Sequence, residues 1–384
     1  MHPFDLASFQ KRLLASPLRF LLIPLSWLYA AVVSIRNRLY ALGVFKARRL
    51  PCRVISVGNI VVGGTGKTPT VIALAKHLQK EKVRVAILLR GYKRESREKV
   101  TIVSDGERVC ASLKESGDEA YMMAKHLSGI PIVVSSQRYQ AGQVALERFG
   151  VDVLLLDDGF QHRQLARDVD ILTVPAHSAI GLQAARERLL PAGNLREPPT
   201  ALRRADVILL THTDTVDMLR DAKAALRQLA PNALILESVH QPVHFYSLAP
   251  PKNSEGTDFL RTSEAVKGKR ILAVCGIGNP DAFAATLMRC SAESVKLLAY
   301  PDHHVYTEAD FVGIDTVFQA VQADLIVTTE KDAQKLEAFV GDRELPRKSR
   351  DHDHRDGVLP PILVLEVALV ITEGVEKLLE LLDL

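Results

Sequence analysis

Seven consecutive residues constrain this chain more than any others: Gly63-Gly64-Thr65-Gly66-Lys67-Thr68-Pro69. They follow a β-branched run, Arg53–Val57 (RVISV), and lead into a helix-forming stretch, Thr68–Lys80. A strand, a glycine-rich turn and a helix in that order build a phosphate site. Glycines let backbone N–H groups approach phosphate oxygens, and the helix N-terminus adds partial positive charge. Lys67 is positioned to neutralise β- and γ-phosphate oxygens, and the Thr68 hydroxyl suits Mg²⁺. The full P-loop pattern has a glycine five positions before Gly66, and here position 61 is Val. The alternative is a plain glycine turn with a solvent-facing lysine.

The surrounding pattern requires a layered α/β fold. Val83–Leu89, Ile130–Val134, Val151–Leu156 (VDVLLL), Val169–Val174, Val207–Leu210 and Ala233–Leu236 are short, nearly continuous apolar runs. Parallel strands covered on both faces read this way. Helical stretches such as Thr68–Lys80 and Asp118–His126 fall between them, which is βαβ logic. A second set, Ile271–Cys275, Val295–Ala299, Leu325–Thr328 and Ile362–Leu365, marks a smaller α/β domain. The expected division is residues 1–50 as a membrane-interface segment and 51–238 as a P-loop nucleotide-binding domain. Residues 239–267 are the connection, and 268–384 the smaller C-terminal domain. Arg347–Gly357 (RKSRDHDHRDG) reads as a solvated polar loop, although His352 and His354 are metal-ligand types.

Composition matters chiefly through its asymmetry. The whole chain carries only +4, which gives no argument for nucleic acid, and nothing argues for an obligate protein partner. Four cysteines lie far apart with no CxxC pair, which favours a reducing compartment over a disulfide scaffold. Residues 1–50, however, hold eight basic residues (Lys11, Arg12, Arg19, Arg36, Arg38, Lys46, Arg48, Arg49) against one acid, Asp5. Between Arg19 and Arg36 runs an uncharged stretch of 16 residues, Phe20–Ile35, with Pro24 and the only tryptophan, Trp27. A spanning helix needs about 20 apolar residues. The expected structure is therefore an amphipathic helix in a membrane interface, with basic residues meeting anionic headgroups. Core packing against the next domain and a true span are the alternatives.

Two further constellations carry chemistry. Asp157-Asp158-Gly159-Phe160-Gln161-His162 follows the strand VDVLLL. Carboxylates at the carboxyl end of a parallel strand sit in the crevice where α/β sheets bind ligands, and beside a P-loop they hold Mg²⁺ directly or through water. An Asp-Gly turn that caps a helix is the structural alternative. Phosphoryl transfer also needs a base for the incoming hydroxyl. Candidates are Gly117-Asp118-Glu119, where Asp118 also reads as a helix N-cap, and Pro301-Asp302-His303-His304, which also reads as a turn.

Taken in order, these motifs resemble the tetraacyldisaccharide 4′-kinase family of the Gram-negative lipid A pathway. The resemblance runs through SVGNIVVGGTGKTP (Ser56–Pro69), the RGY element (Arg90–Arg94), GDE (Gly117–Glu119) and DDGFQHR (Asp157–Arg163). RLLPAGNLREP (Arg188–Pro198), GIGNP (Gly276–Pro280), DHH-x-Y (Asp302–Tyr306) and TTEKDAQKL (Thr328–Leu336) complete it. The chain departs from the usual pattern at Ala120 (commonly Pro), at Lys93 (commonly Gly) and in the LQAARE stretch before Arg188. The Arg347–Gly357 loop looks like an insertion.

The resemblance implies transfer of the ATP γ-phosphate to the 4′-hydroxyl of a lipid-linked disaccharide 1-phosphate, with Mg²⁺. It implies a doubly wound, mostly parallel P-loop α/β fold with a second, smaller α/β domain. It also implies a peripheral or monotopic place on the cytoplasmic face of the inner membrane. Carried over residue by residue, Asp118 is the base and His303 assists it, with His304 the second candidate. Gly63, Gly64, Thr65, Gly66, Lys67 and Thr68 form the nucleotide loop, and Thr68, Asp157 and Asp158 the metal side. Arg90, Arg188 and Arg196 are substrate-contact candidates, since arginine suits bidentate phosphate recognition. GIGNP reads equally as a ligand loop or a strand-to-helix turn. A membrane-associated P-loop switch ATPase is the rival reading. It accounts for the loop, the carboxylates and the basic anchor, but not for RLLPAGNLREP or DHH-x-Y.

Overall fold

Parallel pairing dominates because most strands are apolar along their whole length. The structure, a computed structural model, describes residues 20, 22–92, 94–183, 188–215, 218–248, 262–340 and 362–382. Lys11, Arg12, Arg19, Lys93, residues 184–187 of the LQAARE stretch, and the Arg347–Gly357 loop with His352 and His354 lie outside the described residues. The first eight strands are β1 (Arg53–Gly58), β2 (Val85–Leu89), β3 (Thr101–Ser104), β4 (Ile132–Val134), β5 (Val153–Asp157), β6 (Val169–Pro175), β7 (Val207–Thr211) and β8 (Leu234–Ser247). They lie in the order β3-β4-β2-β5-β1-β6-β7-β8, parallel except for β3 against β4. The chain leaves β1 towards β2 on one side and later builds β6 to β8 on the other. Ligands of open α/β sheets bind beyond the carboxyl strand ends at such a reversal.

Helices α1 (Leu22–Ala41), α2 (Lys67–Lys80), α3 (Leu113–Ser116), α4 (Asp118–His126), α5 (Arg138–Phe149), α6 (Ala176–Gln183) and α7 (Leu219–Leu229) accompany these strands. In α2 the apolar positions Val71, Leu74, Ala75 and Leu78 recur at helical spacing and are buried against Ile55, Val57, Ile87 and Leu155. The opposite sheet face packs Val54, Leu88, Leu154 and Leu156 on Ala141 and Ala145 of α5. Full burial of each such Val, Leu or Ile contributes about 1.5–3 kcal/mol. His77 and Lys80 in the last turn of α2 complement its dipole.

Two compact units emerge, Met1–His240 with Leu369–Leu384, and Gln241–Ala368. The second holds β9 (Arg270–Cys275), β10 (Ser294–Ala299), β11 (Leu325–Thr329) and the start of β12 (Ile362–Glu373), in the parallel order β10-β9-β11-β12. Its helices are α8 (Pro280–Arg289), α9 (Glu308–Ala320) and α10 (Glu330–Val340); α11 (Val375–Leu381) belongs to the first unit. The chain crosses between the units within β8 and within β12. The second domain expected at 268–384 thus differs at both ends. Val239–Ser247, read as connection, continues a strand whose polar residues and Pro242 hide it from an apolar-run reading. The last helix returns to the first unit, where Arg53 Nη2 donates to the Leu381 carbonyl at 3.1 Å.

Helix α1 carries an apolar stripe on its exposed side. Leu25, Trp27, Leu28, Val32 and Ile35 recur at helical spacing and are all exposed, Trp27 at 71%. The side towards the protein carries Leu22 and Val33 together with the polar Ser26, Tyr29 and Asn37. Ser26 Oγ donates to the Leu189 carbonyl (2.8 Å) and accepts from the Ala192 N–H (2.9 Å). Tyr29 donates to the Arg196 carbonyl at 2.9 Å, and Asn37 Nδ2 to the buried Glu197 Oε2 at 2.6 Å. A helix whose outer face is apolar gains nothing from water on that face.

Candidate active site

The glycine turn after β1 is braced from below and open above. Thr65 is buried; its hydroxyl accepts from Asn59 Nδ2 (2.8 Å) and lies 2.9 Å from the Thr173 hydroxyl at the end of β6. The Thr65 carbonyl accepts from the Thr211 hydroxyl at 3.1 Å. Gly66 adopts φ +88°, the left-handed region that favours glycine, and a Cβ there would lie 3.1 Å from Thr211 Cγ2 and 3.2 Å from His240 Cε1. Gly63 also has positive φ, and a Cβ there would meet nothing within 4 Å. Gly64 is exposed. No side chain caps α2, which begins at Lys67, so its leading N–H groups point into the turn.

Opposite stand the β5 carboxylates. Val57 of β1 is in register with Asp157, which brings that carboxylate to the mouth of the turn. Thr68 Oγ1 donates to Asp157 Oδ2 at 3.2 Å. Asp157 is only 3% exposed, and its Oδ1 has no hydrogen-bond partner among the described residues. Burial pushes this carboxyl up to about 7, the charge of Glu119 adds to the rise, and Lys67 opposes it. A buried carboxylate oxygen beside a threonine hydroxyl is a pair of hard oxygen donors that fits Mg²⁺.

Asp158 is differently placed. Its backbone has φ +53°, tolerated by a short polar residue. Arg196 Nη1 lies 2.7 and 2.8 Å from its two oxygens, and Lys67 Nζ lies 3.8 Å from Oδ1. Burial favours its neutral form, yet Lys67, Arg196 and Arg138 together hold it below the ordinary carboxylate value. The two adjacent aspartates therefore differ in charge environment as well as direction.

Asp118 opens α4, and the N-cap position belongs to Gly117, not to Asp118 as the capping alternative held. A Cβ on Gly117 would lie 2.9 Å from the Tyr92 carbonyl, so only glycine carries the chain into this helix as built. Ala120 is buried one turn in, and the helix starts at Asp118 without a proline there. Glu119 acts electrostatically on Asp157, which puts the start of α4 beside the phosphate turn.

Arg90, just beyond β2, is exposed, and its charge is felt by Arg138 and His162. Arg188 is exposed; its carbonyl accepts from the Leu195 N–H at 3.0 Å. Arg196 has its guanidinium on Asp158 and its backbone N–H on the Ile60 carbonyl at 2.7 Å. Sequence reasoning missed Arg138, which is 2% exposed and donates to the Ser135 carbonyl at 2.8 Å. Burial lowers its pKa to about 10, so it stays cationic near Asp157 and Asp158. Glu197, also missed, lay inside RLLPAGNLREP. It is fully buried and accepts from Arg204 (2.8 Å) as well as Asn37, which ties α1 to the loop carrying Arg196.

In the second unit His303 follows Asp302 with φ +62°, and its N–H donates to the Gly276 carbonyl at 3.2 Å. His304 stacks on Tyr300, with ring centroids 4.6 Å apart, and places Nε2 3.1 Å from Asp310 Oδ2. GIGNP is a strand-to-helix turn: Asn279 Oδ1 accepts from the Ala282 N–H at 3.2 Å and caps α8. Asp332 of TTEKDAQKL is buried and accepts from the Gly276 N–H at 2.9 Å, a structural clamp.

Comparison with known proteins agrees with these features. The family pattern described as Tetraacyldisaccharide-1-P 4'-kinase, LpxK, matches residues 18–382. A tetraacyldisaccharide 4'-kinase of Syntrophus aciditrophicus is 42% identical over 332 residues, spanning 84% of this chain and 85% of the relative. One of Halothermothrix orenii is 40% identical over 322 residues, spanning 83% of each. The crystal structure of LpxK from Aquifex aeolicus in complex with ATP superimposes with a TM-score of 0.68 at 32% identity, covering 95% of this chain and 98% of that one. The chain belongs to the tetraacyldisaccharide-1-P 4'-kinase family.

Proposed function

We propose that this chain transfers the γ-phosphate of ATP to the 4′-hydroxyl of a tetraacyl-disaccharide 1-phosphate, a step of lipid A biosynthesis. The observation that carries the reading is the buried Asp157, held against Thr68 at 3.2 Å with Oδ1 unpartnered at the mouth of the glycine turn. The loop N–H groups from Gly63 to Thr68 and the Lys67 ammonium receive the ATP phosphates. Thr68 and Asp157 hold Mg²⁺, with Asp158 on the same side. When bound, the ion neutralises charge on the β- and γ-phosphate oxygens. Asp158 is the partner of Lys67 and Arg196, so it also keeps these two cations aimed at the phosphate end. Asp118 accepts the proton of the 4′-hydroxyl, His303 assists, and Arg90 and Arg188 contact the acceptor.

The outward apolar stripe of α1 supports a membrane-docked enzyme, peripheral on the cytoplasmic face of the inner membrane. Trp27, Leu28, Val32 and Ile35 enter the acyl boundary, while Arg38, Lys46, Arg48 and Arg49 meet anionic headgroups. Among the described residues no helix is long and apolar enough to cross a membrane. The test is γ-³²P transfer from ATP to purified tetraacyl-disaccharide 1-phosphate in detergent micelles, with wild type and Lys67→Ala side by side. A Lys67-dependent, doubly phosphorylated lipid is expected. ATP hydrolysis with no labelled lipid overturns the reading in favour of a switch ATPase.

A further inference from the structure

Three arginines share one carboxylate where α1 meets the loop behind it. Glu197 Oε2 accepts from Arg204 Nη2 at 2.8 Å and from Asn37 Nδ2 at 2.6 Å. Arg36 Nη2 stands 3.7 Å from Glu197 Oε1, an ion pair beyond hydrogen-bond range. Arg163 has no carboxylate partner among the described residues. Its Nη1 donates to the Asn37 carbonyl at 3.1 Å, and its guanidinium lies 4.8 Å from the centre of the Tyr40 ring. Arg167 is no part of this shortage, because Asp170 pairs with it at 2.9 Å. Arg36, Arg163 and Arg204 are left with more positive charge than Glu197 balances.

The hydrogen bonding is short of acceptors as well. Arg36 Nε and Arg204 Nη1 are buried and have no hydrogen-bond partner among the described residues. A buried N–H without an acceptor costs free energy. Arg204 cannot turn freely to relieve this, since it lies over the Phe160 ring at 4.2 Å and is bound to Glu197. Burial, then the charges of Arg204 and Arg167, lower the pKa of Arg163, and Glu197 opposes them. An anion beside Arg36 and Arg163 would meet both deficits at once.

We propose that Arg36, Arg163 and Arg204 form a binding site for a lipid phosphate, occupied by the headgroup of a membrane phospholipid lying against α1. The inference deepens the membrane-docked reading of this chain and rests on it. Planar guanidinium groups suit phosphate, which accepts two N–H groups of one fork. The place suits a headgroup: Arg36 directly follows the exposed Ile35, and Leu42, Val44 and Phe45 are exposed just beyond the helix. Acyl chains on that apolar surface bring the phosphate of the same lipid to the arginines beside it. Arg38, by contrast, is exposed and acts only as one charge among others near the surface. If the arginines merely brace α1 against Glu197, their loss changes stability and leaves lipid affinity alone.

Trp27, the only tryptophan, reports docking of α1 through the blue shift of its emission. The full-length protein is titrated with phosphatidylcholine vesicles, with and without one-fifth phosphatidylglycerol. Arg38→Gln should weaken binding to the anionic vesicles about fivefold, the ordinary worth of one basic residue near such a surface. Arg163→Gln removes the same charge but should weaken it by about 20–50-fold, and Arg36→Gln should follow it. Arg163→Lys keeps the charge without the fork and should recover only part. At about 0.5 M NaCl the Arg38 effect should vanish, while the Arg163 effect persists because the site is partly buried. An unchanged blue shift at saturating lipid shows that α1 is still seated in each variant. Equal losses in Arg163→Gln and Arg38→Gln overturn the proposal, as does a lowered thermal midpoint with unchanged vesicle affinity. A raised KM for the acceptor lipid in neutral micelles, with vesicle binding unchanged, also overturns it by giving the site to the acceptor's own phosphate. The underlying reading fails separately: wild type with no blue shift on any vesicle is not membrane-docked, and the headgroup site falls with it.

Discussion

Each unit contains a strand, a glycine turn and a helix, and the two turns are finished in opposite ways. After β9, the Gly276 N–H is taken by Asp332, Asn279 caps the following helix, and Pro280 fills its first position. A Cβ at Gly276 would meet Asp332 Oδ1 and the Pro301 carbonyl at 3.1 Å. After β1, the cap position of α2 is Gly66 with no side-chain cap, a Cβ at Gly63 would meet open space, and Lys67 puts a cation in the first helical turn, against the dipole. The turn after β9 is satisfied by its own chain. The turn after β1 leaves backbone donors and a cation facing outward, as an anion site requires. The presence of a glycine turn does not mark the ligand; what the chain leaves unsatisfied around it does.

The contrast breaks most visibly in kinetics. Asp118→Ala should lower kcat by about 10²–10⁴-fold with KM little changed, read by steady-state phosphoryl transfer. A kcat near wild type would remove the base assignment. Lys67→Ala should cost about 10²–10³-fold in kcat, comparable to loss of one donor to a developing anion, while the thermal midpoint holds. The other turn should answer in stability instead. Asp332→Ala strands the Gly276 N–H and the Thr329 hydroxyl, which donates to it at 2.7 Å, and should cost about 1–3 kcal/mol in urea unfolding. Asn279→Ala should cost about 1 kcal/mol, and Asn279→Ser should recover most of it. At the small end, Trp27→Ala should change stability by no more than about 0.5 kcal/mol, because the ring is exposed. It should still weaken sedimentation with anionic vesicles. Unchanged vesicle binding, or a large loss of stability, would count against an outward apolar stripe.

What was legible from sequence followed from local physics. Continuous apolar runs such as VDVLLL can only be covered strands, and GGTGKT between a strand and a helix can only turn tightly. Those two facts located β1, β5, the phosphate turn and both aspartates. They could not separate Asp157 from Asp158, because burial and partner choice depend on Arg196, 38 residues further along the chain. Arg138 gave no signal: a buried arginine is recognised only once the Ser135 carbonyl and β5 surround it. The apolar run of α1 was visible, and an outward, interface-facing stripe was the expectation over core packing. What holds the helix that way round was not visible, because Ser26, Tyr29 and Asn37 bind a loop more than 150 residues away. The strand β8 was cut short because VHQPVHFYS alternates and contains proline, so it lacks the run that marks a covered strand.

The central claim is that the turn after β1 takes the nucleotide and the turn after β9 does not. Hydrogen–deuterium exchange of the full-length protein in micelles, with and without MgATP, tests it at both places at once. Expected is slowed exchange across Val61–Val71, where loop and helix N–H groups receive phosphate, with peptides covering Gly276–Leu287 unchanged. Protection at Gly276–Leu287 without protection at Val61–Val71 would contradict it.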